Sequence, residues 1–134
     1  MRVLICGDRN WKDYDTIEGY IRTLPEGSII INGRCKGADN IARFLAHQLG
    51  YETMDFPANW EKYGLAAGPI RNKQMLTEGK PDLAVAFHDN LTKSKGTKNM
   101  MEQAHKAGVK CILHRSGDFN QDSNQTMRKE NGCS

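Results

Sequence analysis

The sequence predicts an α/β fold, a five-stranded parallel sheet with helices on both faces, and three observations carry that prediction. Short β-branched runs alternate with amphipathic stretches along 134 residues. Most of those runs are continuously apolar, as strands covered on both faces are. The amphipathic stretches start at capping residues or proline and end at glycine.

The first strand is predicted at Val3–Cys6, ending at Gly7. Asp13 or Asp15 can cap a helix that brings Ile17, Tyr20, Ile21 and Leu24 to one face, and Pro25 and Gly27 end it. Ser28–Ile31 is the second strand, ending at Asn32-Gly33. The next helix, Ala38–Leu49, lines up Ile41, Phe44, Leu45 and Leu49 and stops at Gly50. Glu52–Phe56 is a weaker strand closed by Pro57. Pro69 suits the first turn of a helix running to Gly79. The fourth strand is Asp82–Phe87, the last helix Thr97–Ala107, and the fifth strand Val109–Leu113. Strands 1, 2, 4 and 5 all read as buried on both faces. An unbroken alternation of strand and helix implies right-handed crossovers, hence a Rossmann-like three-layer α/β/α domain with strand order 3-2-1-4-5. Ligands on such a sheet bind at the carboxyl ends of the strands, beside the switch point between strands 1 and 4.

Composition narrows the class. Charged residues make up 26% and hydrophobic residues 38% of the chain, which excludes a disordered acidic segment. No apolar run approaches the roughly 20 residues of a membrane span, and the short N-terminal apolar stretch does not read as a signal peptide. A cytoplasmic protein with no membrane partner is expected. Cys6, Cys35, Cys111 and Cys133 show no CxxC or zinc-ligand spacing, so reduced thiols are expected and neither a metal nor a cofactor. Residues 1–115 hold 17 Lys/Arg against 13 Asp/Glu, while 116–134 form a polar tail holding two against three. The domain is therefore expected at 1–115.

The carboxyl-end loops carry the functional signal. Gly7-Asp8-Arg9-Asn10 is not a dinucleotide fingerprint, but it suits a tight turn that presents Arg9 and Asn10 at the sheet edge, or a plain turn with a solvated arginine. Asn32-Gly33-Arg34-Cys35-Lys36-Gly37-Ala38-Asp39 puts two glycines and two cations at a helix start, where free N–H groups favour an anion. Asp39 can cap that helix or bond a ribose hydroxyl. In the long loop 56–72, Trp60 and Tyr63 can stack on a base or plug the core beneath, and Arg71 beside Asn72 calls for a phosphate or a carboxylate partner. Ser94, Lys95, Gly96 and Thr97 open the last helix and offer a second anion contact facing the first. His88 and His114 end strands without metal-ligand spacing and read as satisfied polar histidines.

These residues resemble the YspA-like family of the SLOG superfamily, which is related to the LOG phosphoribohydrolases and the DprA/Smf DNA-processing proteins. The resemblance rests on Gly7 and Arg9, on Gly33 with Lys36 to Asp39, on SKGTKNMMEQA at 94–104, and above all on PANWEKYGLAAGPIRNKQML at 57–76. It implies a domain that binds a nucleotide or nucleotide-derived ligand, ADP-ribose-like or cyclic, as a sensor or sequestering module, and it allows a homodimer. The LOG glutamate three residues after the threonine is Met100 here, and Glu102 lies roughly 200° around the helix from it. A thioether cannot manage a proton or a developing cation. LOG-type N-glycosidic hydrolysis, with Asp39 and Arg71 as candidate catalytic groups, is therefore the second reading. Single-stranded DNA binding is the third, set back by a net charge of only +3.

Overall fold

The computed structural model describes residues 1–119. Its five strands are β1 (Arg2–Gly7), β2 (Ile29–Asn32), β3 (Glu52–Asp55), β4 (Leu83–Phe87) and β5 (Lys110–His114). They form one sheet in the order β3-β2-β1-β4-β5 with every pairing parallel, as the sequence predicts. The helices are α1 (Tyr14–Ile21), α2 (Ala38–Gln48), α3 (Trp60–Tyr63), α4 (Ala67–Gly79) and α5 (Lys95–Lys106).

Alternating strand residues feed two cores. Val3, Ile5, Ile30, Val85 and Phe87 pack with Ile17, Ile21, Ile41 and Leu45 of α1 and α2. Leu4, Cys6, Ile31, Ala84 and Ala86 pack with Met75 of α4 and with Met100 and Ala104 of α5. Val3, Leu4 and Ile5 are fully buried, each contributing about 2 kcal/mol of hydrophobic stabilisation. Burial on both faces is why the central strands read as unbroken apolar runs.

The elements depart from expectation where local chemistry wins. Residues 56–72 are not a bare loop. Asn59 caps α3 by accepting from the Lys62 N–H, and α4 begins at Ala67, two residues before Pro69. Ser94 caps α5 by accepting from the Thr97 N–H, so that helix begins at Lys95 rather than Thr97. Strand β5 is not buried on both faces: as the sheet's edge it leaves Lys110 and Leu113 exposed. Beyond it Ser116–Phe119 folds back onto the domain. The Gly117 N–H lies 2.9 Å from Asp13 Oδ2, and the Phe119 ring packs on Tyr20 and His114. The rest of the predicted tail lies outside the described residues.

Candidate functional site

Two helix starts meet at the turn that follows β1. Gly37 holds φ at 83°, and a Cβ there would meet Arg9 backbone atoms at 2.5 Å. Only glycine lets the loop after β2 lie this close to the β1 turn. The Ala38 N–H then donates to the Asp8 carbonyl at 3.1 Å. From the other side the Thr97 hydroxyl donates to the Gly7 carbonyl at 3.0 Å. The first turns of α2 and α5 thus flank one short segment, Gly7–Arg9.

The backbone donors around that segment divide into two sets. The Ala38 and Asn40 N–H groups have acceptors in Asp8 and Cys35, and the Asp39 N–H serves its own carboxylate. Among the described residues, no protein acceptor takes the N–H of Arg9, Lys36, Gly37, Lys95 or Gly96. Arg9, Arg34, Lys36, Lys93 and Lys95 are exposed, and none has a carboxylate within 4.0 Å among the described residues. Arg34 holds a left-handed φ of 55° within the same loop. Unpartnered N–H groups and unpaired cations at two helix starts form a cradle suited to an anion.

Several expected ligand groups instead build this cradle. Arg71 is 7% exposed, and its guanidinium donates to the Gly33 carbonyl at 2.6 Å, to Cys35 Sγ at 3.3 Å and to Asn72 Oδ1 at 3.0 Å. Its odd place in the first half of α4 is resolved by carbonyls at the ends of β2 and β3 and by the nearby Asp39 charge, with no phosphate required. Asp39 is 4% exposed and accepts from the Gly33 N–H at 2.8 Å and from the Cys35 N–H. Burial pushes its carboxyl up to about 6 against the pull of those bonds and of Arg71. Asn32 is fully buried between Asp55 and the Arg34 N–H. Asn72 Nδ2 donates to Asn99 Oδ1 at 3.0 Å and sits 3.5 Å from the Gly96 carbonyl, which links α4 to the start of α5.

Trp60 and Tyr63 stand apart from this scaffold. They are 56% and 41% exposed, so neither plugs the core. Trp60 borders an open hollow of about 470 Å³ lined by Pro57, Ala58, Asn59 and Glu61. Met100 is 1% exposed in the apolar core under α5.

Sequence reading gave Asp8 no role here and read His88 only as a satisfied polar histidine. Asp8 lies in the converging turn, with Oδ1 accepting from the Asn10 N–H at 2.8 Å. His88, buried at the end of β4, places Nε2 3.9 Å from Asp8 Oδ2. Its Nδ1 accepts from the Asn90 N–H at 2.9 Å. The available signal was position: both follow the two central strands at the switch point. Among the described residues no cluster of three or more His, Cys, Asp or Glu could hold a metal ion, and no helix is long and apolar enough to cross a membrane.

The chain is similar to known proteins in sequence and in fold. The YspA, cpYpsA-related SLOG family matches residues 1–63, which hold the β1 turn and the start of α2. The Gene 61 protein of Mycobacterium phage D29 is 36% identical over 120 residues, covering 83% of this chain and 94% of that protein. The X-ray structure of DNA processing protein A (DprA) from Streptococcus pneumoniae superposes with a TM-score of 0.68 at 18% identity, over 98% of this chain. The chain spans only 56% of that DprA structure, and at this identity the likeness speaks for the fold. With the family model matching residues 1–63 and a relative 36% identical along nearly its whole length, this chain is a member of the YspA, cpYpsA-related SLOG family.

Proposed function

We propose that the chain binds a nucleotide or nucleotide-derived ligand, ADP-ribose-like or cyclic, as a sensor or sequestering module. One observation carries this reading: the N–H groups of Arg9, Lys36, Gly37, Lys95 and Gly96, unpartnered among the described residues, surround one turn, amid cations that no described carboxylate neutralises. The phosphate lies on those N–H groups, and Arg9, Arg34, Lys36 and Lys95 balance its charge. Asn10 and Lys93 lie at the rim. Asp39, Arg71, Asn72 and Thr97 hold the loops in place without touching ligand, and Ser94 caps α5. Binding without turnover is favoured because Met100 is sealed in the core and Asp39 is locked by backbone donors. A thermal-shift series with AMP, ADP, ADP-ribose and cyclic AMP tests the reading. At least one should raise the melting temperature of the wild type and not of Lys36→Ala. No shift with any of them, or equal shifts in both proteins, contradicts it.

A second reading has its own observation. Trp60 and Tyr63 are exposed on either side of Lys62, a stacking pair with a cation suited to single-stranded nucleic acid. Salt-dependent binding of an oligonucleotide, competed poorly by mononucleotides and lost in Trp60→Ala, favours this reading over the first.

A further inference from the structure

Asp8 is a carboxylate set among cations that leave it unpaired. Its side chain is 29% exposed. Arg9, Arg34, Lys36 and Lys95 share the mouth, yet none lies within 4.0 Å of its oxygens. Oδ1 is held by the Asn10 N–H, and the nearest side-chain nitrogen to Oδ2 is His88 Nε2 at 3.9 Å, longer than a hydrogen bond. The His88 ring is fixed from behind. Because Nδ1 accepts from Asn90, the neutral ring carries its proton on Nε2, the atom nearest Asp8. The other carboxylates of this edge are occupied: Asp39 by backbone N–H groups, and Asp89 by the N–H and hydroxyl of Ser116 at 2.8 and 2.6 Å.

We propose that Asp8, positioned by His88, accepts a hydrogen bond from a sugar hydroxyl of the bound nucleotide and sets a preference for ribose over sugars that lack it. The inference rests on the nucleotide reading above. The chemistry divides the mouth. Cations and N–H groups take the phosphate, whereas a carboxylate repels phosphate and takes a neutral donor. Cations on the neighbouring segments disfavour a bound metal ion at Asp8, which leaves a hydroxyl as the fitting partner. Ordinary ribose recognition at the end of the second strand is closed here, because the acidic residue there, Asp39, is buried and engaged. A site built to bond a hydroxyl discriminates against the analogue without it, since the bound ligand shields the half-buried acceptor from water and leaves it unpaired.

Calorimetric titration of the full chain with ADP and with 2′,3′-dideoxy-ADP tests this. Wild type should bind ADP about tenfold more tightly than the dideoxy form, the scale of one charge-assisted hydrogen bond. Asp8→Asn, which keeps an acceptor for the Asn10 N–H, should bring the two affinities together by weakening ADP alone. His88→Ala should shrink the ratio, and His88→Gln, whose amide can place a donor near Oδ2, should restore it. Equal wild-type affinity for ADP and its dideoxy form overturns the proposal while leaving the nucleotide reading intact, and needs no variant. Binding of neither form overturns the proposal, and the nucleotide reading falls with it only if AMP, ADP-ribose and cyclic AMP also fail to bind. Equal weakening of both nucleotides by His88→Ala overturns the positioning role of His88.

Discussion

The guanidinium of Arg71 lies so close to Gly33 that no side chain fits between them. Nη1 donates to the Gly33 carbonyl at 2.6 Å, and a Cβ on Gly33 would meet the same nitrogen at 2.5 Å. Through this contact a residue of α4 fixes the loop that opens α2. Truncating Arg71 leaves the Gly33 carbonyl without its donor and Asp39 without its nearby cation. Arg71→Ala should therefore destabilise the fold by about 3 kcal/mol, measured by urea denaturation. A loss below about 1 kcal/mol would show that the loop does not depend on this contact.

Asp39 gives that scaffold a pH signature. Its carboxyl rises from 3.8 to about 6 on folding, with burial as the cause. A raised carboxylate pKa means that the folded state binds the proton more tightly. The associated stability is complete below pH 3.8 and is lost as pH climbs through 6. Relative to Asp39→Asn, which cannot ionise, the wild type should lose on the order of 3 kcal/mol between pH 4 and pH 7.5. Denaturation curves of both proteins at those pH values check the difference. A pH-independent gap would contradict the assigned burial.

His114 has the opposite dependence. Tyr20, Phe87 and Phe119 surround the ring, Nε2 is buried with no partner among the described residues, and burial lowers its pKa below 6.5. Asp118 Oδ2 at 3.4 Å from Nδ1 opposes the shift without cancelling it. The unfolded chain takes up this proton first, so stability should fall as pH drops below 6.5 and level off beneath the folded value. Phe119→Ala removes a ring whose centre lies 4.6 Å from that of His114. An NMR titration should show the His114 pKa moving back toward 6.5 in that variant. An unchanged value would mean that Phe119 does not shield it.

Gly96 separates binding from stability. A Cβ there meets nothing within 4 Å, and the residue is in the first turn of α5. Gly96→Ala should leave stability equal or raise it by up to about 1 kcal/mol, because alanine limits the unfolded chain. The added methyl stands beside an N–H of the cradle, so nucleotide affinity should drop. Gly37→Ala should weaken both, since its Cβ has no room. Thermal melts with and without ADP distinguish these cases.

Much of the fold was legible because it rests on repeating physics. Apolar runs marked the central strands, and Asp13, Gly50 and Gly79 marked helix ends near their true places. The edge strand misled because an apolar run such as Cys111-Ile112-Leu113 does not reveal that the strand is only partly covered, with Cys111 and Ile112 half-buried and Leu113 exposed. The short helix Trp60–Tyr63 was missed because one turn has no periodicity to read. At the site, spacing located the correct loops, but it could not say whether a cation faces solvent or a carbonyl. Lys36 and Arg71 look equally available in sequence. One is exposed and the other is buried against Gly33, a difference set by loop packing across 38 residues. Asp8 was overlooked for the same reason, since its neighbour His88 arrives from β4.

The central claim is that five backbone N–H groups around the β1 turn hold a phosphate, and amide NMR reads those groups directly. Titrating the isotopically labelled chain with ADP-ribose should shift the amides of Arg9, Lys36, Gly37, Lys95 and Gly96 most, and these shifts should vanish in Lys36→Ala. Shifts confined to the Trp60–Tyr63 segment, or no shifts at all, would contradict the account.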